Sequence, residues 1–275
     1  DGHATKNKVH RFDPQRVKEE LNYIAKRTKN INELMLADLN FGMYKQDVVT
    51  AKMIRDIQQT YDYPKNLTSS AGKNMPERII EVANIIKGWT LGASIQSSDP
   101  DVLKAVKREN ISNGAYNKLI DYNVKNSTKT YTDIILALPE DTKKKHFESI
   151  RFGIDNKINS VRMHQARMLI GTSMTSKESR KKYDFKTMWR TAPGAVGYYD
   201  ILGKKYPVAE MDEIIVSSNT LSKKDYRDCR IMNLFVQTFY NNSLFEEIFA
   251  LLRSINVAPI DCLIYMTDHP ELYSP

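Results

Sequence analysis

Short apolar runs alternate with longer segments whose apolar residues recur at helical spacing, and this rhythm restricts the folds open to the chain more than any other property. The clearest runs are Leu34-Met35-Leu36-Ala37, Leu91-Gly92-Ala93-Ser94-Ile95 and Ile134-Ile135-Leu136-Ala137-Leu138. Between them lie helical patterns. One opens at Asp13-Pro14 and puts Val17, Leu21, Ile24 and Ala25 on a single stripe. Others start at Asn74-Met75-Pro76 and Asp99-Pro100, each with proline in its first turn, and at an Asp141-Thr142 cap. Helices are further predicted from Lys45 to Thr60 and from Asn113 to Asn126. Strands are expected to start near Glu33, Asn66, Trp89, Thr130 and Asn159. Parallel neighbours need a crossover of a dozen or more residues, so β and α segments at this spacing argue for a parallel sheet covered by helices. An α/β barrel, whole or partial, fits best. A doubly wound nucleotide fold loses ground because neither G-x-G-x-x-G nor a P-loop is present.

After residue 175 the rhythm changes. Ser176 to Lys186 is a charged stretch, Pro193-Gly194 with Gly197 suggests a loop, and Glu210 to Ser217 resembles one more strand. Two helical patterns follow, Lys223 to Tyr240 behind a Ser222 cap and Ser243 to Ile255. The expected organisation is a lead-in and helix over 1–32, a partial α/β barrel over 33–175, and a strand with a helical subdomain over 176–275.

Composition narrows the class. The 275 residues carry 41 Lys+Arg against 33 Asp+Glu, a formal charge of +8, with 41% hydrophobic and 27% charged residues. That balance excludes a disordered tail, a collagen-like repeat and a disulfide-dense module. No run approaches the roughly 18 apolar residues of a spanning helix, so no membrane partner and a cytoplasmic location are expected. Cys229 and Cys262 lie far apart without a second pair, and the five histidines have no ligand-like spacing, so no metal site is predicted within the chain. Basic clusters at Lys143-Lys144-Lys145, Arg180-Lys181-Lys182 and Lys223-Lys224 lack interleaved aromatics. Solvated helix ends account for them better than a nucleic-acid surface does.

In an α/β barrel, ligands gather at the carboxyl ends of the strands. The polar groups there are Asp38 and Asn40, then Ser69, Ser70 and Lys73, then Gln96, Ser97 and Ser98, then Glu140, then His164 and Gln165. Strand alternation puts Ser94 and Gln96 on one face.

Read in order, these segments resemble the core of radical S-adenosylmethionine (radical SAM) enzymes, particularly the branch often joined to a cobalamin-binding domain. Asp38-Leu39-Asn40-Phe41-Gly42 is similar to that branch's D-x-N-F-G. Gln96-Ser97-Ser98-Asp99-Pro100, followed by Leu103, Lys107, Arg108 and Asn110-Ile111-Ser112, is similar to its Q-S-x-D-P…L…K-R-x-N-I-S. Thr132-Asp133-Ile134-Ile135-Leu136-Ala137-Leu138-Pro139 is similar to its T-D-L-I-L-G-L-P. The resemblance implies a partial TIM-type (βα)6 barrel lacking its first strand. It also implies a [4Fe-4S] cluster that reductively cleaves S-adenosylmethionine to a deoxyadenosyl radical, an unknown substrate that gives up hydrogen, a flavodoxin- or ferredoxin-like reductant, and cobalamin through an upstream domain. By the same resemblance Asp38, Asn40, Ser94, Gln96, Arg108, Ile135 and Gln165 are cofactor contacts, and Lys73 and Asn74 substrate contacts. The catalytic residue is not identified. The family's C-x-x-x-C-x-x-C is absent, and the cluster loop is expected immediately upstream of Asp1. Asp133 and Ala137 stand where the family's G-x-I-x-G has glycines, which narrows the adenine pocket. The alternatives are an RNA-modifying or RNA-binding module and a catalytically inactive scaffold.

Overall fold

The computed structural model describes residues 9–72, 75–89, 92, 94–108, 118, 121–122 and 130–272. The helices start where the chain supplies caps. Asp13 accepts hydrogen bonds from the backbone N–H groups of Gln15 (2.9 Å) and Arg16 (3.2 Å), and Pro14 opens α1 (Pro14–Arg27), whose Leu21 and Ala25 are buried. Helices α2 (Lys45–Tyr61) and α3 (Pro76–Ile85) follow, then α4 (Pro100–Ala105), capped by Asp99 at 3.0 Å. Thr142 caps α5 (Lys143–Asp155) through the Lys145 N–H at 3.1 Å.

The strands β1 (Glu33–Met35) and β2 (Asn66–Thr68) pair in parallel, as do β3 (Tyr131–Leu136) and β4 (Ser160–Gln165). Parallel bridges from Leu67 to Trp89, and from Gly92 and Gln96 to Tyr131 and Ile134, place Trp89, Gly92 and Gln96 between the two pairs. All five segments therefore run parallel, in chain order. On β3 and β4 the residues Thr132, Ile134 and Val161 are fully buried beneath α5. The helix approaches closely at Gly153, where a Cβ would lie 2.8 Å from Val161 Cγ2. The opposite face carries Tyr131, Asp133, Ile135, Arg162 and His164, half-buried or exposed.

Several features beyond residue 175 differ from the sequence expectation. The charged stretch contains a helix, α6 (Lys177–Lys182), capped by Ser176. Pro193, Gly194 and Gly197 form no loop. They belong to β5 (Lys186–Ile201), which pairs antiparallel with β6 (Lys204–Ser217), so the single expected strand is half of a long hairpin. A register shift between Thr191 and Val196 absorbs Pro193 and Gly194, as a bulge permits, while Gly197 pairs with Val208 in the ladder. The Arg167–Ile214 bridge joins β6 to the chain just after β4. Helix α7 (Lys223–Phe235) runs into a π-helical turn (Val236–Asn241) and is followed by α8 (Glu246–Ser254) and α9 (Pro259–Asp268); α9 is not foreseen from the sequence. These helices share one core with the sheet, since Met232, Phe235, Phe249, Ile260 and Leu263 cluster with Ile54, Leu67, Trp89 and Ile134. The helix expected over 113–126 lies largely outside the described residues. Among the described residues no single helix is long and apolar enough to cross a membrane.

Candidate functional site

The carboxyl ends of β1 and β2 run side by side. The Phe41 N–H donates to the Ser70 carbonyl (3.1 Å), and Ser69 Oγ donates to the Asp38 carbonyl (3.3 Å). Asp38 Oδ1 accepts from the Asn40 N–H at 2.8 Å, an Asx turn that leaves both side chains exposed on the strand-end rim. Gly72 permits the close pass, because a Cβ there would lie 2.7 Å from Met43 Cβ and 3.1 Å from the Asn40 carbonyl oxygen.

Three segments meet at a second point, on the face of β3 and β4 turned away from α5. Ser94 Oγ donates to Asp133 Oδ2 (2.5 Å), and His164 Nε2 lies 3.1 Å from Asp133 Oδ1. The parallel register sets this up by pairing Asp133 with Arg162 and Ile135 with His164. Burial pushes the Asp133 carboxyl upward, but hydrogen bonds from His164 and Ser94 outweigh it and hold the group below the ordinary aspartate range. Tyr131, stacked 4.1 Å beneath the Arg162 guanidinium, and Ile135 flank the carboxylate two residues away on either side. The cluster thus presents a fixed anion between two apolar surfaces.

The cofactor residues expected from the sequence distribute unevenly. Asp38, Asn40, Ser94 and Ile135 lie on the strand-end rim or the face turned away from α5. Gln96 does not continue Ser94's alternation. Four steps separate Gly92 from Gln96 against three from Tyr131 to Ile134, and Gln96 absorbs the extra residue with φ +62°. Gln165 pairs with the core residue Leu136 and faces away from Asp133; it donates to the Tyr226 hydroxyl on α7 and accepts from Arg190 of β5. Arg108 is exposed, its N–H closing α4 on the Leu103 carbonyl (2.9 Å). Lys73 and Asn74 lie outside the described residues. The juxtaposition of Asp133 with His164 is not anticipated from sequence, although i, i+2 alternation already puts Asp133 with Ile135 and His164 with Arg162.

An iron–sulfur cluster needs three or four thiolates, and the cysteines present do not fit one. Cys229 is buried in α7, where burial pushes its thiol up to about 12. Cys262 is half-buried in α9, its thiol likewise raised by burial. Among the described residues, no group of three or more His, Cys, Asp or Glu side chains is placed to hold a metal ion. The basic clusters are partly neutralised: Lys143 and Lys224 pair with Asp228 (2.9 and 3.1 Å), Lys145 with Asp99 (3.0 Å), and Arg180 with Glu213 (2.6 Å).

No family model matches the chain. It is 27% identical over 263 residues to 2-(S-pantetheinyl)-carbapenam-3-carboxylate methyltransferase of Streptantibioticus cattleyicolor. It is 25% identical over the same length to the cobalamin-dependent radical SAM methyltransferase TokK of Streptomyces tokunonensis. Each match covers 92% of this chain and 37% of the relative, so the chain corresponds to little more than a third of these proteins. Two solved structures of the radical S-adenosylmethionine methyltransferase TsrM from Kitasatospora setae share the fold. One, with tryptophan and aza-SAM bound, gives a TM-score of 0.52 at 11% identity over 66% of this chain and 36% of that one. The other, with cobalamin and a [4Fe-4S] cluster, gives 0.50 at 10% identity over 68% and 34%. Both sequence relatives are thus methyltransferases, one of them cobalamin-dependent and radical SAM, and this chain is similar to them over nearly its whole length.

Proposed function

We propose that this relative of the radical S-adenosylmethionine methyltransferases is the adenosylmethionine-binding portion of such an enzyme, acting in a longer polypeptide that also binds cobalamin and a [4Fe-4S] cluster. The observation that carries the reading is the Ser94–Asp133–His164 cluster, set on the face of a parallel sheet turned away from α5, in a chain matched nearly end to end by two methyltransferases, one of them cobalamin-dependent and radical SAM. S-adenosylmethionine is a cationic sulfonium nucleoside that supplies an activated methyl group. The ionised Asp133 carboxylate suits its charge and its ribose hydroxyls, and Tyr131 and Ile135 offer apolar surface to the purine. Ser94 and His164 hold the carboxylate in place, while Asp38 and Asn40 stand on the rim for the methionine end. The cluster ligands and the cobalamin site belong to parts of the protein outside these residues.

In this reading the five parallel segments are part of a (βα)6 barrel. The outer edge of β1, where no strand pairs among the described residues, receives the missing first strand. Ile31 and Met35 beside that edge are 60% and 71% exposed, as expected of side chains awaiting a neighbour.

The test is anaerobic reconstitution of the full-length protein with iron, sulfide and hydroxocobalamin, followed by reduction and addition of S-adenosylmethionine. S-adenosylhomocysteine with methylcobalamin is expected, and 5′-deoxyadenosine reports whether hydrogen is also abstracted. No consumption of S-adenosylmethionine by either route overturns the reading. Asp133→Leu is expected to weaken S-adenosylmethionine binding by roughly 10- to 100-fold, the scale of a lost charge-assisted hydrogen bond. Equilibrium binding of the methyl-³H cofactor to the reconstituted variant measures it.

A further inference from the structure

The hairpin leaves the fold partway along its length. Its root is fixed: Ile214, Ile215 and Val216 are buried, Arg180 makes a two-pronged pair with Glu213 (2.7 and 2.6 Å), and Thr187 Oγ1 donates to the same carboxylate (2.6 Å). Beyond the register shift after Thr191, every residue from Val196 to Met211 is exposed, so both faces of the ribbon are wet. Two strands without a third, or a helix beneath them, are marginal in water. This ribbon is also apolar where a solvated one is polar, with Tyr198, Tyr199, Ile201, Leu202, Tyr206 and Val208 all exposed.

The turn adds an independent signal. Leu202 and Gly203 hold φ +53° and +78°, the pair of left-handed residues that a two-residue hairpin turn requires. Asn or Asp is the usual first residue there, because other side chains in that conformation carry a steric cost from the Cβ crowding the following carbonyl oxygen. Leu202 bears that cost while 102% exposed at the apex, and the Asp200 carboxylate accepts the Gly203 N–H at 3.0 Å to hold the turn. Neither the turn nor solubility benefits from leucine. A pocket that receives the apex does.

We propose that the distal ribbon docks on another part of the same polypeptide, outside these 275 residues, with Leu202 inserted in an apolar pocket and Lys204 and Lys205 meeting an acidic rim. The occupant follows from length. The chain is matched over 92% of itself yet spans only 37% of each relative, so a protein built like them has most of its length outside this portion and available to cover the ribbon. The place agrees with it, because Arg190 at the hairpin root bonds to Gln165 at the carboxyl end of β4, the end of the sheet where the proposed site lies. Tyrosines with an aliphatic anchor are also the usual composition of a buried contact. The proposal rests on the longer-polypeptide reading above.

The experiment is photo-crosslinking of the purified full-length protein with p-benzoylphenylalanine at position 199 or 202. A crosslink within one chain, mapped by mass spectrometry to a peptide outside these 275 residues, is expected. A crosslink joining two copies, or none at either position, overturns the proposal. As a second measurement, Leu202→Asp is expected to raise amide exchange across 196–211 at least tenfold while amides of Ile214 to Val216 keep their protection. Unchanged exchange across 196–211 overturns it too. Neither measurement needs cofactor or turnover, so a failure of the methyltransferase reading remains separately visible.

Discussion

Trp89→Ala is expected to destabilise the fold by about 3–5 kcal/mol, the cost of emptying a large aromatic site in a packed core. Trp89 is 2% exposed and bridges Leu67 of β2, so it sits where the first pair of strands meets the rest of the sheet. Its ring meets Phe41 edge-on at 5.2 Å, and a Cβ on Gly42 would lie only 3.2 Å from its Cη2. The indole therefore buttresses the turn after β1 that carries Asp38 and Asn40. Removing it leaves that turn without a floor, and Gly42, held at φ +88°, cannot acquire a side chain to fill the gap. Chemical denaturation of the full-length protein followed by far-UV circular dichroism measures the loss. Trp89→Phe should restore half or more of it by retaining an aromatic contact with Phe41. A loss below about 1 kcal/mol for the alanine variant contradicts this view of the junction.

The elements that sequence revealed are those whose signals are local. The Asp13, Asp99, Thr142 and Ser222 caps each bond to backbone N–H groups two or three residues beyond, so the residue types suffice to place the helix starts. The parallel segments near Glu33, Asn66, Trp89, Thr130 and Asn159 were legible because β-branched and aliphatic runs alternate with amphipathic helices. The hairpin was not, because Pro193, Gly194 and Gly197 are loop residues in isolation and form a strand only through pairing with β6. Nor was α9, whose apolar stripe is short and is completed by packing on the shared core. For the candidate site, segment matching named Ser94 and Ile135 but not the meeting of Asp133 with His164, which depends on the β3–β4 register. Gln96 and Gln165 show the converse. Both lie at strand ends, yet a bulge redirects one and the alternation of β4 turns the other toward Tyr226.

Acid should find its weakest point at His146, between α5 and α7. Burial drives its pKa down to about 4, with the hydrogen bond to Asn233 Oδ1 (3.2 Å) opposing and the charge of Arg230 reinforcing the shift. The unfolded chain, with an ordinary value near 6.5, binds the proton more readily than the folded one. This residue's contribution is therefore present above pH 6.5 and is lost as the pH falls through that value toward 4, by roughly 3 kcal/mol in all, since each unit is worth about 1.4 kcal/mol. Asp141 works in the other direction. Its buried carboxyl is pushed up to about 7, mainly by burial, against an ordinary 3.8, so its protonation favours the fold across the whole of that range. The wild-type profile sums both effects, and a difference curve separates them. His146→Gln keeps an amide donor for Asn233 and removes the titration, so its stability relative to wild type should improve steadily between pH 6.5 and 4.5. Parallel denaturation curves for the two proteins across that interval would show that His146 does not govern the acid limb.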